Sequence, residues 1–120
     1  MIDYGRLAGL PLEEPFPGIR RRAFSSASAT VTEYVLEPGA SFPQHHHPQE
    51  QLTLLQSGDV ELTAEDRLVE LSAGDWFVVA GGVEHGLRAG ADGARFLAVL
   101  VPRRDPSDPY TLTPEGAPRR

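Results

Sequence analysis

The chain has 120 residues, of which 40% are hydrophobic and 23% are charged, so it is long enough to form one compact domain with its own core. It has no cysteine and its basic residues are all arginine, which excludes disulfides, thiolate ligands, cysteine nucleophiles and Schiff-base amines. The net charge of −6 and the lack of a basic patch predict that no nucleic acid is bound. Without a bilayer-length apolar run or a secretion signal, the sequence predicts a cytoplasmic protein with no membrane partner.

Glycine and proline, with 12 and 11 residues, divide the chain into short segments, and no window shows a sustained helical period. Several segments instead alternate in polarity or are rich in β-branched and aromatic residues, which is typical of strands. A turn is predicted at 57–59, where the sequence reads Ser-Gly-Asp. Short strands joined by tight turns predict an all-β sandwich or small barrel. The predicted strands are 19–24, 29–36, 51–56, 60–63, 67–71, 76–79 and 95–101.

The predicted organisation is a single domain with two less regular ends. Residues 1–25 are interpreted as an N-terminal arm or edge strand, which can also pair with a second subunit in a homodimer. Residues 26–102 are the barrel itself. Residues 103–120 form a polar, proline-rich tail that cannot be a central strand, so it either covers the barrel mouth or stays mobile.

Three of the four histidines are consecutive, at 45–47, which suggests a metal site. In a strand, His45 and His47 share one face and His46 takes the other, while Gln51 has the parity of the first pair. The fourth histidine, His85, follows the loop 80–84, and a barrel can bring it opposite to them. Imidazole nitrogen is a good ligand for several divalent metals. The alternative interpretation is a solvated polar loop.

Two motifs resemble those of the cupin superfamily. The stretch GASFPQHHHPQEQLTLLQSG (39–58) and the stretch GDWFVVAGGVEHGLRA (74–89) match its two motifs in spacing and order. The resemblance implies an antiparallel cupin barrel, of the double-stranded β-helix or jelly-roll type, that holds one divalent metal ion such as Zn, Ni, Mn or Fe. It implies the ligands His45, His47, Gln51 and His85.

Three positions of the chain depart from that superfamily pattern. Gln51 replaces the usual glutamate, and Ala80 and Ala89 replace the usual proline and asparagine, neither of which is a ligand. Glu50 is the other candidate for the fourth ligand, because glutamate is the better donor. Strand parity and the six-residue gap to Gly58 favour Gln51.

Within the superfamily, HHHPQEQLTLLQSG is similar to single-domain cupins of pectin degradation, which open the ring of unsaturated uronates. The segment VLVPRR resembles their closing strand, so that Arg104 would match a carboxylate-binding arginine. That branch carries an acidic residue where this chain has Ala98, so the group expected to transfer a proton is missing. Small zinc-dependent cupin cyclases resemble the pattern as well.

Three further residues are candidates for substrate binding near the metal. Arg88 can bind an acid, although a surface arginine is the alternative interpretation. Thr53 shares the parity of Gln51 and can line the cavity or simply pack on its strand face. Trp76 can form a wall of the pocket, or it can pack in the core as Phe77 and Phe96 are expected to do. No residue is predicted to be catalytic.

Neutral ligands leave the full charge on a divalent ion, which strengthens it as a Lewis acid and favours anionic substrates. The leading hypothesis is therefore a metal-dependent enzyme, an isomerase, a ring-opening enzyme or a cyclase, that acts on a small polar or anionic molecule such as a sugar acid. One alternative is a metal-dependent dioxygenase. Another is a non-catalytic sensor or small-molecule-binding module.

Overall fold

The computed structural model describes residues 1–105 and 107–114. These residues form a nearly all-β structure, in which one short 3-10 helix, Leu7–Gly9, precedes the strands. No helix in these ranges is long and apolar enough to cross a membrane. The strands are β1 (Glu13–Phe16), β2 (Ile19–Ser25), β3 (Thr30–Leu36), β4 (Ser41–His46), β5 (Glu50–Ala64), β6 (Arg67–Ser72), β7 (Trp76–Val79), β8 (His85–Val101) and β9 (Thr111–Leu112).

Two long strands, β5 and β8, pair with each other over almost their full lengths and form the spine of the barrel. The first half of β5 and the second half of β8 belong to one face of the barrel, with β7, β3, β2 and β1. Their other halves belong to the opposite face, with β6, β4 and β9. All these pairings are antiparallel, which confirms the predicted fold class.

The two spine strands change direction at a pair of glycines. The register of β5 on β8 shifts on both sides of Ser57–Gly58, so this segment is a bulge within one strand. Gly58 and Gly93 both have positive φ, of 76° and 73°. The prediction of a turn at 57–59 is therefore wrong. Gly58 instead lies at a bend within β5, and this bend lets the strand cross from one face of the barrel to the other.

Side chains alternate between the interior and the surface along much of the barrel. On β3 every second residue is buried, from Thr30 to Leu36. Phe77 and Phe96 lie in the core as predicted, whereas Trp76 is 68% exposed because it has the outward parity on β7. The prediction that Trp76 lines the cavity is thereby corrected.

Both ends of the chain join the barrel. Strand β2 pairs with β3 along its length, and Ile19 is fully buried in the core. At the other end, β9 pairs with β4, so that His45 and His46 lie opposite Leu112 and Thr111. The tail, as far as residue 114, thus lies beside the strand that carries the first histidines.

Replacing Gly58 by alanine should destabilise the fold far more than replacing Gly39. The two glycines have nearly equal φ, 76° and 73°, so the cost of the left-handed conformation is matched. A Cβ at Gly58 would lie 1.9 Å from the carbonyl oxygen of Gly93, while a Cβ at Gly39 meets nothing within 4 Å. In urea unfolding, we expect Gly39→Ala to lower the free energy of unfolding by about 1 kcal/mol and Gly58→Ala to lower it by about 3 kcal/mol or more. Equal losses in the two variants would show that the close strand contact does not constrain residue 58.

Candidate metal centre

The structure brings His45, His47 and His85 together inside the barrel. His45 lies on β4 directly opposite His85, the first residue of β8, and His47 follows in the bend after β4. One ring nitrogen from each of the three lies within 4.8 Å of those of the other two, and all three side chains are buried. This trio can hold a metal ion.

Strand parity separates Gln51 from Glu50. Gln51, the second residue of β5, is buried beside the histidines, whereas Glu50 is exposed. The carboxylate of Glu50 therefore points away from the cluster. The side chain that faces the histidines is the amide of Gln51.

The loop before His85 is fitted closely against the bend that carries His47. The N–H of Gly82 donates to the carbonyl oxygen of His47 at 2.8 Å. A Cβ at Gly81 would lie 2.3 Å from the carbonyl oxygen of Pro48, so glycine is needed for this approach. The two motifs that are distant in sequence are thus joined by backbone contact.

The backbone sets the tautomer of each histidine. Each Nδ1 lies against a carbonyl oxygen two residues away: His45 to Pro43 at 2.8 Å, His47 to Gln49 at 3.0 Å and His85 to Val83 at 2.9 Å. Since a carbonyl oxygen can only accept, each Nδ1 must carry a hydrogen and donate it. In a neutral ring the lone pair is then on Nε2, the atom left to bind a metal.

Burial disfavours protonation of these three rings. It lowers the pKa of His45 from 6.5 to about 3 and that of His85 to about 4. Burial also lowers the pKa of His47. The positive charge of Arg104 also lowers the pKa of His45 and of His47. Its guanidinium and the His45 ring both lie against the ring of Tyr110.

The Gln51 amide adds a fourth acceptor to the three ring nitrogens. Its Oε1 lies 3.1 Å from Nε2 of His47 and 3.2 Å from Nε2 of His85. Its Nε2 donates to Oγ1 of Thr53 at 2.9 Å, which turns the oxygen toward the histidines. With Nδ1 protonated, the lone pairs of these acceptors face one another across a buried space, and such an arrangement is unfavourable without a positive charge among them.

The separations suit a shared divalent cation. Two ligand atoms at roughly 2.0–2.2 Å from one ion lie about 3–3.5 Å apart, depending on the angle between them. The distances from Gln51 Oε1 to the two ring nitrogens, 3.1 and 3.2 Å, fall in that range. The donor set of neutral nitrogens and one carbonyl-type oxygen fits Zn, Ni, Mn or Fe.

Arg104 lies next to this cluster and is 7% exposed. The hydroxyl of Thr30 fixes its backbone, accepting from its N–H at 3.0 Å and donating to its carbonyl at 3.1 Å. The guanidinium lies 4.6 Å from the ring centroid of Tyr110 and donates to the carbonyl oxygen of Asp108. Within residues 1–105 and 107–114, no carboxylate lies at ion-pair distance from it.

The other predicted substrate-binding residues are divided between the interior and the surface. Thr53 is buried against Gln51, and Ala98 lies opposite Thr53 on β8, facing inward. Arg88 and Trp76 are exposed on the outer surface, so the structure does not bring them to the cluster. A surface cavity of about 830 Å³ includes Arg88 but none of the three histidines.

Sequence reasoning missed Arg21 and Tyr110. Arg21, on β2, pairs with Glu13 at 3.1 Å and donates to the hydroxyl of Tyr110. Alternation in IRRRAF gave Arg21 the same inward parity as Ile19, so that signal was available. Tyr110 is the one aromatic residue of a polar tail, which was a weaker signal.

Comparison with known proteins gives one family and several similar structures. The family model described as "Cupin domain" matches residues 32–100. No curated protein sequence matches the chain significantly. Both motifs lie within the matched range.

Among the solved structures, KdgF from Halomonas sp. superposes with a TM-score of 0.80 at 23% identity, over 88% of this chain and 97% of that one. A RmlC-like cupin from Shewanella frigidimarina NCIMB 400 has a TM-score of 0.79 at 20% identity, over 88% and 95%. Oxalate decarboxylase of Bacillus subtilis, described with Mn(II) centres, has a TM-score of 0.81 at 20% identity, over 92% of this chain and 34% of that one. At these identities the matches show the fold. The family match over more than half of the chain shows that this protein belongs to the cupin family.

Proposed function

We propose that this cupin is an enzyme that uses one divalent metal ion as a Lewis acid on a small anionic organic molecule, such as a sugar acid. The observation that carries the proposal is the meeting of three imidazole lone pairs and the Gln51 oxygen in one buried place. Buried acceptors that face each other are stabilised by a cation among them, and imidazole with an amide oxygen is a metal ligand set.

His45, His47, His85 and Gln51 would hold the ion. All four side chains are neutral, so they cancel none of its charge. When bound, such an ion polarises a substrate oxygen or lowers the pKa of a bound water. The absence of a ligand carboxylate is what favours this chemistry and an anionic substrate.

The arginine beside the cluster indicates the substrate class. Arg104 is buried, yet no carboxylate of the described residues pairs with it. A buried guanidinium that lacks a counter-ion favours an anionic ligand, and its planar group suits a carboxylate. We infer that Arg104 binds the acid group and orients the molecule toward the ion.

Two likenesses support a sugar acid. The stretch HHHPQEQLTLLQSG and the arginine after the closing strand resemble the uronate-processing cupins of pectin degradation, and KdgF is among the structural matches. Ala98 faces the interior where that branch has an acidic residue. The methyl side chain of Ala98 cannot transfer a proton. The proposed reaction must therefore differ from the reaction of that branch or use another proton donor.

The metal ligands can be tested with a matched pair of histidines. His47→Ala should abolish stoichiometric metal binding while leaving most of the fold, because it removes a ligand from a buried site. His46→Ala is the control, since His46 has the opposite parity on the same short segment. Metal content per chain, measured by plasma mass spectrometry, and circular dichroism give the two readouts. One metal per chain in His47→Ala would contradict the ligand assignment.

Thr53 should matter for metal affinity because it holds the Gln51 amide. Thr53→Val leaves the amide Nε2 without its acceptor, so we expect the metal Kd to rise about 10-fold or more. Thr53→Ser keeps the hydroxyl and should retain affinity close to that of the natural chain. Competition with a chromophoric chelator measures both. If valine and serine gave the same affinity, the amide would not depend on this hydrogen bond.

The substrate class can be tested with neighbouring arginines. The metal-loaded protein is screened for turnover of unsaturated uronates and phenolic acids, with oxygen uptake followed in parallel. Arg104→Gln should raise KM at least about tenfold with metal content unchanged, whereas Arg103→Gln should have little effect because Arg103 is exposed.

Oxygen uptake with bound iron would favour the dioxygenase. Acid binding with no turnover would favour the binding module.

A further inference from the structure

The tail packs one aromatic side chain, that of Tyr110, against the barrel. Among residues 107–114, all side chains are exposed except Tyr110 and Thr113, which are half-buried. The backbone is attached to the barrel by the two-residue strand β9 and by the N–H of Thr113, which donates to the carbonyl oxygen of Gln44 at 2.9 Å. Most of what the tail buries is therefore the ring of Tyr110.

Tyr110 is held from several sides. Its ring centroid lies 5.3 Å from that of Phe16, 5.2 Å from that of Phe42 and 5.5 Å from that of His45. Its hydroxyl lies 2.8 Å from that of Tyr34 and accepts from Nη1 of Arg21. These contacts fix the ring beside a proposed metal ligand, at the same mouth where Arg104 lies.

Arg104 and Arg21 both lie near this ring, but among the described residues only Arg21 has a carboxylate as its counter-ion. Arg21 has Glu13 as its counter-ion at 3.1 Å. Arg104 has the tail instead: its Cζ lies 4.6 Å from the Tyr110 centroid and its Nη2 donates to the Asp108 carbonyl. A guanidinium held over an aromatic face keeps N–H groups at its edge for a carboxylate.

We propose that Tyr110 is a positioning residue that holds the Arg104 guanidinium ready for the substrate carboxylate, so that the tail completes the acid-binding subsite. This inference rests on the proposed function, because it assigns a supporting residue to the same site. Arg104 is fixed at its backbone by Thr30 and at its guanidinium by Tyr110. Preorganisation of this kind lowers the cost of ordering a long side chain on binding.

The test compares two variants at one position, in the full-length, metal-loaded protein. Tyr110→Phe keeps the ring and removes the hydroxyl, whereas Tyr110→Ala removes both. With D-galacturonate as the probe, we expect the alanine variant to bind about tenfold more weakly and the phenylalanine variant to stay within about twofold of the natural chain. Tyr4→Ala is the control, because Tyr4 is exposed. Metal content should be unchanged throughout.

The methyl ester of galacturonate separates positioning of Arg104 from general packing. Its binding should be the same with Tyr110 and with alanine, because it has no carboxylate to meet the guanidinium. Unchanged galacturonate affinity in Tyr110→Ala, an equal loss for acid and ester, or a loss in Tyr110→Phe as large as in Tyr110→Ala would each overturn the inference. Failure of the natural chain to take up metal would count against the proposed function instead.

A second measurement needs no substrate. Phenylglyoxal modifies accessible arginines, and the exposed Arg103 is an internal reference on the same segment. Mapped by mass spectrometry, Arg104 should react several-fold faster relative to Arg103 in Tyr110→Ala and at the natural rate in Tyr110→Phe. Equal rates in the natural chain and the alanine variant would show that Tyr110 does not hold Arg104, even if galacturonate does not bind at all.

Discussion

The site depends on one electrostatic constraint, the meeting of several lone pairs inside an apolar barrel. The backbone carbonyls of Pro43, Gln49 and Val83 take the Nδ1 hydrogens and leave the Nε2 lone pairs pointing inward. Burial lowers the pKa of His45 and His85 to about 3 and about 4, which disfavours protonation of these two rings as a way to relieve the contact. A divalent cation relieves it directly, and its binding free energy then adds to the stability of the fold.

The barrel meets this constraint through strands that serve both of its faces. Because β5 and β8 each bend at a glycine, Gln51 on one face and His85 on the other point into the same interior. The bend requires Gly58 and Gly93 to pass closer than a Cβ allows. These two glycines thus set the backbone paths that bring the proposed ligands together.

Much of this arrangement could be predicted because side chains on a strand alternate between the two faces of the sheet with a period of two residues. Parity and the six-residue gap to Gly58 distinguished Gln51 from Glu50, and the spacing of two motifs placed His85 with the first histidines. The prediction for Trp76 was wrong because strand parity was not applied to it. Trp76 alternates with the buried Phe77 and therefore points outward. The bulge at Gly58 was read as a turn because its cause, the carbonyl of Gly93, lies on another strand. Tyr110 could not be found locally, since its partners Arg21 and Tyr34 are distant in sequence.

The two proposed parts of the site come from different regions of the chain. The proposed metal ligands are positioned by barrel strands and backbone hydrogen bonds, whereas the proposed acid-binding part depends on the tail, where Tyr110 contacts Arg104 and accepts from Arg21 near the other end of the chain. The tail is attached by a strand of only two residues, whereas His45 and His85 lie on the longer strands β4 and β8. On the proposed function, substitutions in the tail would alter acid binding more directly than metal binding. In a fold that supports many reactions, this separation would allow substrate range to diverge faster than the metal site.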